Sequence, residues 1–169
     1  TPNSRFDKWL KGDDKALTAQ EIEGYQRFKM YRCSSCHVGK SVGGQSFEYM
    51  DLKKAYFEDR GNPLGSDEGL KGFTGKAEDL HRFKVPNLRN VELTAPYGHN
   101  GYFKTLEEIV HFYNVRDVSD EFPPAEYPAT VNKEELGNLG LTQEEEADIV
   151  AFMKTLTDGY MKVHKSEKR

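Results

Sequence analysis

The segment Cys33-Ser34-Ser35-Cys36-His37 constrains the fold of this chain more than any other stretch. It places two thiols three residues apart and an imidazole directly after the second thiol. This spacing is the attachment signature of c-type haem, in which each thiol adds to one vinyl group of the porphyrin and the histidine binds the iron. The sequence therefore predicts one covalent haem c, attached through Cys33 and Cys36, with His37 as the proximal iron ligand.

Two other uses of paired cysteines do not fit the rest of the sequence. The chain has only two cysteines, whereas a structural zinc site needs four ligands. The remaining histidines form no second pair at matched spacing: His81, His99, His111 and His164. A thioredoxin-like dithiol sits in a βαβ setting that this sequence lacks. Because haem attachment uses both sulfurs, we expect no disulfide. Because bacteria assemble c-type haem outside the cytoplasm, we expect a periplasmic location.

The 169 residues fit a single domain that is large enough to enclose a haem. We expect no membrane span, because no apolar run approaches the ~18 residues that one requires. The net charge of −4 argues against a nucleic-acid partner. We therefore predict one cytochrome c domain over residues 1–169, with a linker-like segment at 1–17 and a basic tail at 160–169. Residues 1–4 show no leader, which indicates mature or trimmed material.

Three capping boxes predict the main helices, because a threonine and a glutamate three residues later satisfy each other's free backbone donors. These boxes begin at Thr18, Thr105 and Thr142. The first predicted helix leads the chain to Cys33, and the third is expected to end at residues 158–159. Three helices around one haem favour an all-α, cytochrome c-type helical domain with long irregular loops.

Two long stretches predict irregular structure. Residues 38–80 contain eight glycines and several aromatic side chains, and such a segment can lie against a haem face, with Phe47 as a candidate contact. Residues 116–141 are rich in proline and predict an exposed loop rather than a second domain.

Several separate motifs, in one order along the chain, resemble a known family. They are FDKWLKGD at 6–13, GGQ at 43–45, FKVPNLRNV at 83–91, LTAPYGHNG at 93–101 and the closing segment 141–157. Together with the haem motif, they look like the C-terminal half of the bacterial dihaem cytochrome c peroxidases and of the related MauG enzymes. The match spans nearly the whole chain.

The resemblance implies both a role and a limit. In the family, the half seen here carries an electron-transferring haem, and the other half carries the peroxidatic haem. This chain has one attachment motif, so it is either a domain excised from a larger protein or a naturally single-haem relative. The implied partner is a redox protein or a second haem domain.

The resemblance also implies the sixth iron ligand. In the peroxidases it is a methionine on the helix after the Ala-Pro-Tyr loop. By residue count from His99 that position is Tyr113 here, and MauG has a tyrosine there. A phenolate favours ferric iron, so a haem with His37 and Tyr113 as axial ligands is expected to have a low reduction potential. The alternatives are that Tyr113 packs in the core or that Met50, on a loop, reaches the iron.

Further site residues follow from the matched positions. Lys84 and Arg89 are candidate partners of the haem propionates, and Gln45 is a candidate haem contact. Thr94 and Pro96 match positions whose carbonyls help to bind calcium between the two family domains. Calcium is therefore expected only when the other half is present.

Two functions remain open from the sequence. The first is an electron-transfer haem domain. The second is a peroxidase-type enzyme, which needs an open or labile sixth position and an acid or base over the iron. His99 would serve as that group, with Glu108 as the weaker candidate. Ligation by Tyr113 blocks peroxide unless the tyrosine leaves, so electron transfer is the preferred function.

Overall fold

The computed structural model describes residues 3–49 and 67–159. Within these ranges the chain forms six α-helices, which are α1 Arg5–Leu10, α2 Ala19–Met30, α3 Cys33–Cys36, α4 Lys71–Thr74, α5 Leu106–Val115 and α6 Gln143–Lys154. Short 3-10 helices lie at Ala77–Asp79, Val91–Leu93 and Pro128–Thr130. Met50 and the predicted basic tail at 160–169 fall outside the described residues. None of the described helices has the length and apolar character needed to cross a membrane.

The capping boxes begin the helices that they predict. Thr18, Thr105 and Thr142 each accept a hydrogen bond from the backbone N–H three residues on, and the glutamate at that position bonds back to the cap. A fourth box at Ser4 starts α1, inside the segment that the sequence marks as linker-like. The last helix ends at Lys154, earlier than predicted, because the chain turns there to bond with the 90–92 segment.

The prediction of an all-α domain is wrong. Strand β1, Phe47–Tyr49, pairs antiparallel with β2, Arg82–Lys84, and Glu48 lies opposite Phe83. Three-residue strands are too short to show an alternating pattern, and a long glycine-rich stretch separates the two strands in sequence. The domain is helical with a small two-stranded sheet, and β1 lies within the stretch 38–80 that was predicted to be irregular.

The central packing feature is the close crossing of α2 and α6. A Cβ atom at Gly24 would lie 1.9 Å from the carbonyl oxygen of Asp148, so only glycine permits this approach. The crossing buries the rings of Phe28 and Phe152, whose centroids are 5.2 Å apart. The Phe28 ring is in turn 6.1 Å from the ring of His37. The hydrophobic core therefore lies next to the haem motif, through the contact between Phe28 and His37.

Helix α1 is folded onto this core. Phe6 is buried and packs edge to face against Phe152, with ring centroids 5.2 Å apart. On the other side of α1, the carboxylate of Asp7 forms an ion pair with the guanidinium of Arg89. The beginning of the described chain is thus tied to both the core and the 83–91 segment.

Candidate haem site

Helix α2 directly precedes the turn that carries the two cysteines. It ends at Met30, and Arg32 then adopts a left-handed conformation with φ of 61° that turns the chain into α3. Because α3 is a single helical turn, Cys33 and Cys36 lie on one face of it.

Burial raises the pKa of the Cys33 thiol to about 11 and also raises the pKa of Cys36. Catalytic dithiols show the opposite shift, since their reactivity depends on a lowered thiol pKa. The environment of the pair therefore does not suit a redox dithiol, in agreement with the sequence argument for haem attachment.

His37 is held in a form that suits an iron ligand. Its Nδ1 atom lies 3.3 Å from the carbonyl oxygen of Val42, and the carbonyl of Pro86 also bonds to the ring. A carbonyl oxygen can only accept, so Nδ1 carries the hydrogen and the lone pair of Nε2 remains for a metal. Burial lowers the pKa of His37, which keeps the imidazole neutral.

Gly43 closes the space behind this histidine. Its φ of 123° is in a region that favours glycine, and an added Cβ would lie 2.1 Å from the Pro86 carbonyl oxygen and 2.9 Å from His37 Nδ1. Backbone therefore packs directly against the imidazole, and the ring cannot turn away without displacing it. This close backing is what a proximal ligand needs in order to keep one orientation.

Tyr113, on α5, lies in the neighbourhood of the two cysteines, and Tyr113 and Cys33 pack against the same hydrophobic core. Burial raises its pKa, nearby Arg116 lowers it, and the thiols of Cys33 and Cys36 raise it. The side chain keeps some accessible surface, although its hydroxyl is closely surrounded by protein atoms. Within residues 3–49 and 67–159, this hydroxyl has no hydrogen-bond partner. A phenol oxygen that bonds to no protein group in these ranges is a possible ligand atom for a bound cofactor.

The donor set fits a covalent haem. Two cysteine thiols on one helical face can form the thioether bonds, and a neutral imidazole with a free Nε2 can bind the iron. The phenol of Tyr113 supplies a candidate oxygen ligand in the neighbourhood of the two cysteines.

The structure places the predicted propionate and haem contacts in two groups. Lys84 is exposed at the end of β2, where it pairs with Phe47, and the Gln45 side chain lies nearby over the 38–44 turn. Arg89 has a different environment. Its Nη1 and Nη2 atoms each lie 2.9 Å from an oxygen of Asp7. The structure therefore commits most of the Arg89 donors to protein groups, and a propionate contact of the exposed Lys84 stays a prediction.

His99 packs against strand β2 of the two-stranded sheet. Its Nε2 atom is 2.7 Å from the carboxylate of Asp67, and its ring stacks on Phe83 with centroids 3.6 Å apart. Glu108 caps its own helix by accepting from the backbone N–H groups of Lys104 and Thr105. Both candidate acid or base groups are thus held by neighbouring groups.

The predicted calcium positions lie at the surface. Thr94 and Pro96 are both exposed, and the Thr94 hydroxyl donates to the carbonyl of Val91 at 3.1 Å. Across the described parts of the chain, no group of three or more histidine, cysteine, aspartate or glutamate side chains is arranged to hold a metal ion. A calcium site at these residues stays a prediction.

Sequence reasoning missed three contributors to the site. The carbonyls of Val42 and Pro86 orient His37, and backbone acceptors leave no signal in residue types. Arg116 was missed as well, although its side chain is almost buried and donates to the carbonyls of Asn132 at 2.6 Å and Leu136 at 3.1 Å. A lone arginine at a helix end is ordinarily a surface charge, so only the folded loop reveals its role.

Comparison with known proteins gives consistent relatives. The chain is 42% identical over 160 residues to the cytochrome c peroxidase Ccp of Escherichia coli, which covers 95% of this chain and 30% of that protein. It is 42% identical over 157 residues to the cytochrome c551 peroxidase of Nitrosomonas europaea, which covers 93% of this chain and 40% of that protein. A scan against models of protein families finds no match.

Solved structures agree in fold. A MauG-like protein associated with microbial copper homeostasis matches with a TM-score of 0.75 and 29% identity, over 94% of this chain and 49% of that one. The diheme peroxidase BthA from Burkholderia thailandensis matches with a TM-score of 0.73 and 25% identity, over 93% of this chain and 46% of that one. The chain therefore spans about half the length of these structures and 30% to 40% of the two curated relatives.

The fold and the site together define a c-type cytochrome domain. The chain belongs to the family of bacterial cytochrome c peroxidases and MauG, and it corresponds to one part of its longer members. The family recognised from the sequence motifs is thereby confirmed.

Proposed function

We propose that this chain is an electron-transfer haem domain with one haem attached to Cys33 and Cys36 and with His37 and Tyr113 as axial ligands. The observation that carries this proposal is the Tyr113 hydroxyl, which lies near both thiols and has no hydrogen-bond partner in the described part of the chain. When bound, the haem supplies a one-electron ferric/ferrous couple. The redox properties of the domain then depend on how His37 and Tyr113 bind and orient the haem.

The two axial residues set the character of the couple. His37 offers a neutral nitrogen whose orientation is fixed by the carbonyls of Val42 and Pro86. Tyr113 would offer a phenolic oxygen to the iron, and that oxygen would be anionic after loss of its proton. An anionic oxygen stabilises the ferric state more than the ferrous state, so the domain is a reluctant electron acceptor. We infer a redox relay or a store of oxidising equivalents.

The relatives suggest the surroundings in which this relay operates. They are longer bacterial proteins named as cytochrome c peroxidases, and the solved relatives include a diheme peroxidase. We therefore propose that the partner is a second haem domain or another redox protein, in the periplasm. Calcium bound at Thr94 and Pro96 would belong to the interface with that partner.

The decisive experiment compares ferric spectra of the wild type with those of two tyrosine variants. The wild type should show a low-spin electron paramagnetic resonance signal. Tyr113→Phe should open the sixth position, give a high-spin signal and raise the midpoint potential. The matched control is Tyr97→Phe, because Tyr97 also packs in the hydrophobic core but donates its hydroxyl to the Val91 carbonyl at 2.8 Å. An unchanged spectrum in Tyr113→Phe would refute the ligation.

Addition of hydrogen peroxide separates this proposal from a peroxidase-type enzyme. A six-coordinate haem should keep its spectrum, since peroxide has no free position on the iron. A wild-type high-spin signal that peroxide converts to a more oxidised species would instead favour the enzyme. In that case His99 becomes the candidate acid or base, and His99→Ala should abolish the conversion.

A further inference from the structure

A continuous series of aromatic rings joins the surface of α1 to the proximal ligand. The ring of Trp9 lies 5.8 Å from that of Tyr25, between centroids, and Tyr25 lies 5.2 Å from Phe152. Phe152 lies 5.2 Å from Phe28, and Phe28 lies 6.1 Å from the imidazole of His37. We call these five residues the ring series. No step between neighbouring centroids exceeds 6.1 Å.

The chemistry of the ring series changes along its length. Its inner members, Phe28 and Phe152, are buried hydrocarbon rings, which resist oxidation. Its outer members, Tyr25 and Trp9, are half-buried, and phenol and indole rings lose an electron far more readily than phenyl rings. Trp9 is the only tryptophan in the chain. The residues that can give up an electron are therefore at the surface end.

A cavity beside the ring series provides a destination for a proton. Its volume is about 280 Å³, it is open to solvent, and Tyr25, Phe28, Phe152 and His37 are among its lining residues. Since a water molecule takes ~30 Å³ of liquid, this space can hold several waters. The ammonium group of Lys29 lies 4.3 Å from the centre of the Tyr25 ring. A positive charge at that place opposes a second one on the ring, so loss of an electron from Tyr25 is favoured only with loss of its proton.

We propose that the ring series conducts single electrons between the surface at α1 and the haem, with Tyr25 and Trp9 as its oxidisable stations. This inference rests on the proposed function only in that a haem is bound at His37. The role of this electron transfer is to protect the residues of the haem site from oxidation. A strong one-electron oxidant, delivered to the haem by a redox partner that has reacted with peroxide, takes an electron from Tyr25 rather than from the residues of the site.

The steps balance as follows. Tyr25 gives one electron to the oxidant and its phenolic proton to water in the cavity, and it becomes a neutral radical. Trp9 then gives one electron to that radical, which takes the proton back from water in the cavity and becomes the phenol again. The oxidising equivalent now resides on the Trp9 indole as a radical cation, where an external reductant can quench it.

Ordinary packing is the competing explanation for the ring series. Aromatic pairs of this geometry stabilise a core by ~0.5–1.5 kcal/mol each, whatever their redox properties. Under that explanation, Tyr25→Phe keeps the ring and alters nothing in electron transfer. The two explanations therefore differ in the behaviour of one hydroxyl group.

The test starts electron transfer beside Trp9. Leu10 is 57% exposed and follows Trp9 directly on α1. Leu10→Cys gives a free thiol for a ruthenium tris-bipyridine label, since the haem consumes both native cysteines. A laser flash with a soluble quencher converts the label to ruthenium(III). Transient absorption then follows the oxidation of the ferrous haem and the appearance of indole and phenol radicals.

We expect Trp9→Phe and Tyr25→Phe, each in the labelled chain, to slow haem oxidation by at least about tenfold, which is the effect of a barrier ~1.4 kcal/mol higher. The matched control is Tyr127→Phe. Tyr127 is also half-buried and stacks on a ring, His81, at 4.0 Å, yet no described contact joins it to the ring series. It should leave the rate unchanged, and indole radical should appear only when Trp9 is present.

Equal rates in the wild type, Trp9→Phe and Tyr25→Phe would overturn the proposal. A slower rate in Tyr127→Phe as well would also overturn it, because the effect would then be a general one. The assay follows the iron whatever its sixth ligand is, and it can be repeated in Tyr113→Phe. Failure of the ring series is therefore distinguishable from failure of the axial ligation.

Discussion

Replacement of Gly43 tests how the protein holds its proximal ligand. In Gly43→Ala, the new Cβ would lie 2.1 Å from the Pro86 carbonyl oxygen and 2.9 Å from His37 Nδ1, at a φ of 123°. The backbone conformation costs ~1–3 kcal/mol for a residue other than glycine, and the overpacking adds ~1–3 kcal/mol. His37 must also shift, because the backbone of Pro86 gives less readily than a side chain. We expect lower stability together with a changed proximal ligand field.

Gly12→Ala is the matched control, since Gly12 has a φ of 98° but a Cβ there meets nothing within 4 Å. The difference between the two variants isolates the overpacking, so Gly43→Ala should unfold roughly 2–12 °C below Gly12→Ala for a chain of this size. Thermal denaturation measures the difference, and the ferric haem spectrum should change only in Gly43→Ala. Equal melting temperatures, or an unaltered spectrum in Gly43→Ala, would refute the reasoning.

Three further predictions concern the packing around the site. Arg89 and Asp7 have side chains only 9% and 13% exposed, so Asp7→Asn should cost ~2–3 kcal/mol at neutral pH in urea denaturation. Burial alone would raise the pKa of Asp7, but Ser4 and Arg89 lower it below its ordinary 3.8. The free energy of unfolding of the wild type should therefore fall as the pH drops below about 3.8 and Asp7 becomes protonated. Asp7→Asn should lack this dependence on pH. Gly24→Ala should destabilise the chain by more than ~3 kcal/mol, because a Cβ 1.9 Å from the Asp148 carbonyl forces the two helices apart; circular dichroism melting checks this. Arg116→Gln should speed proteolytic cleavage within 116–141 while α6 stays intact, and an unchanged cleavage pattern would contradict the role given to the arginine.

The main helices could be predicted because their signals are local. Thr18, Thr105 and Thr142 each stand three residues before a glutamate, and the structure confirms all three starts. The strand pair could not be predicted, since β1 and β2 are three residues long and meet only after the chain has folded. Ser4 carried the same kind of local signal, with Asp7 in place of glutamate, and was overlooked.

The candidate site likewise contains residues that a local pattern predicts and residues that no local pattern predicts. Cys33, Cys36 and His37 follow from spacing alone, because the haem chemistry dictates that spacing. Tyr113 depended on family resemblance, because a tyrosine on an apolar helical stripe otherwise indicates packing. Arg89 bonds to Asp7, which is distant from it in sequence, and no local pattern predicts such a contact.

Resonance Raman spectroscopy of the ferric protein tests the axial ligation most directly. With excitation into a phenolate-to-iron charge-transfer band, the ligation predicts phenolate ring modes that shift when the protein carries ring-deuterated tyrosine and that vanish in Tyr113→Phe. Absence of such modes from the wild type, or an absorption band characteristic of methionine bound to iron, would contradict the assignment of Tyr113 as the sixth ligand.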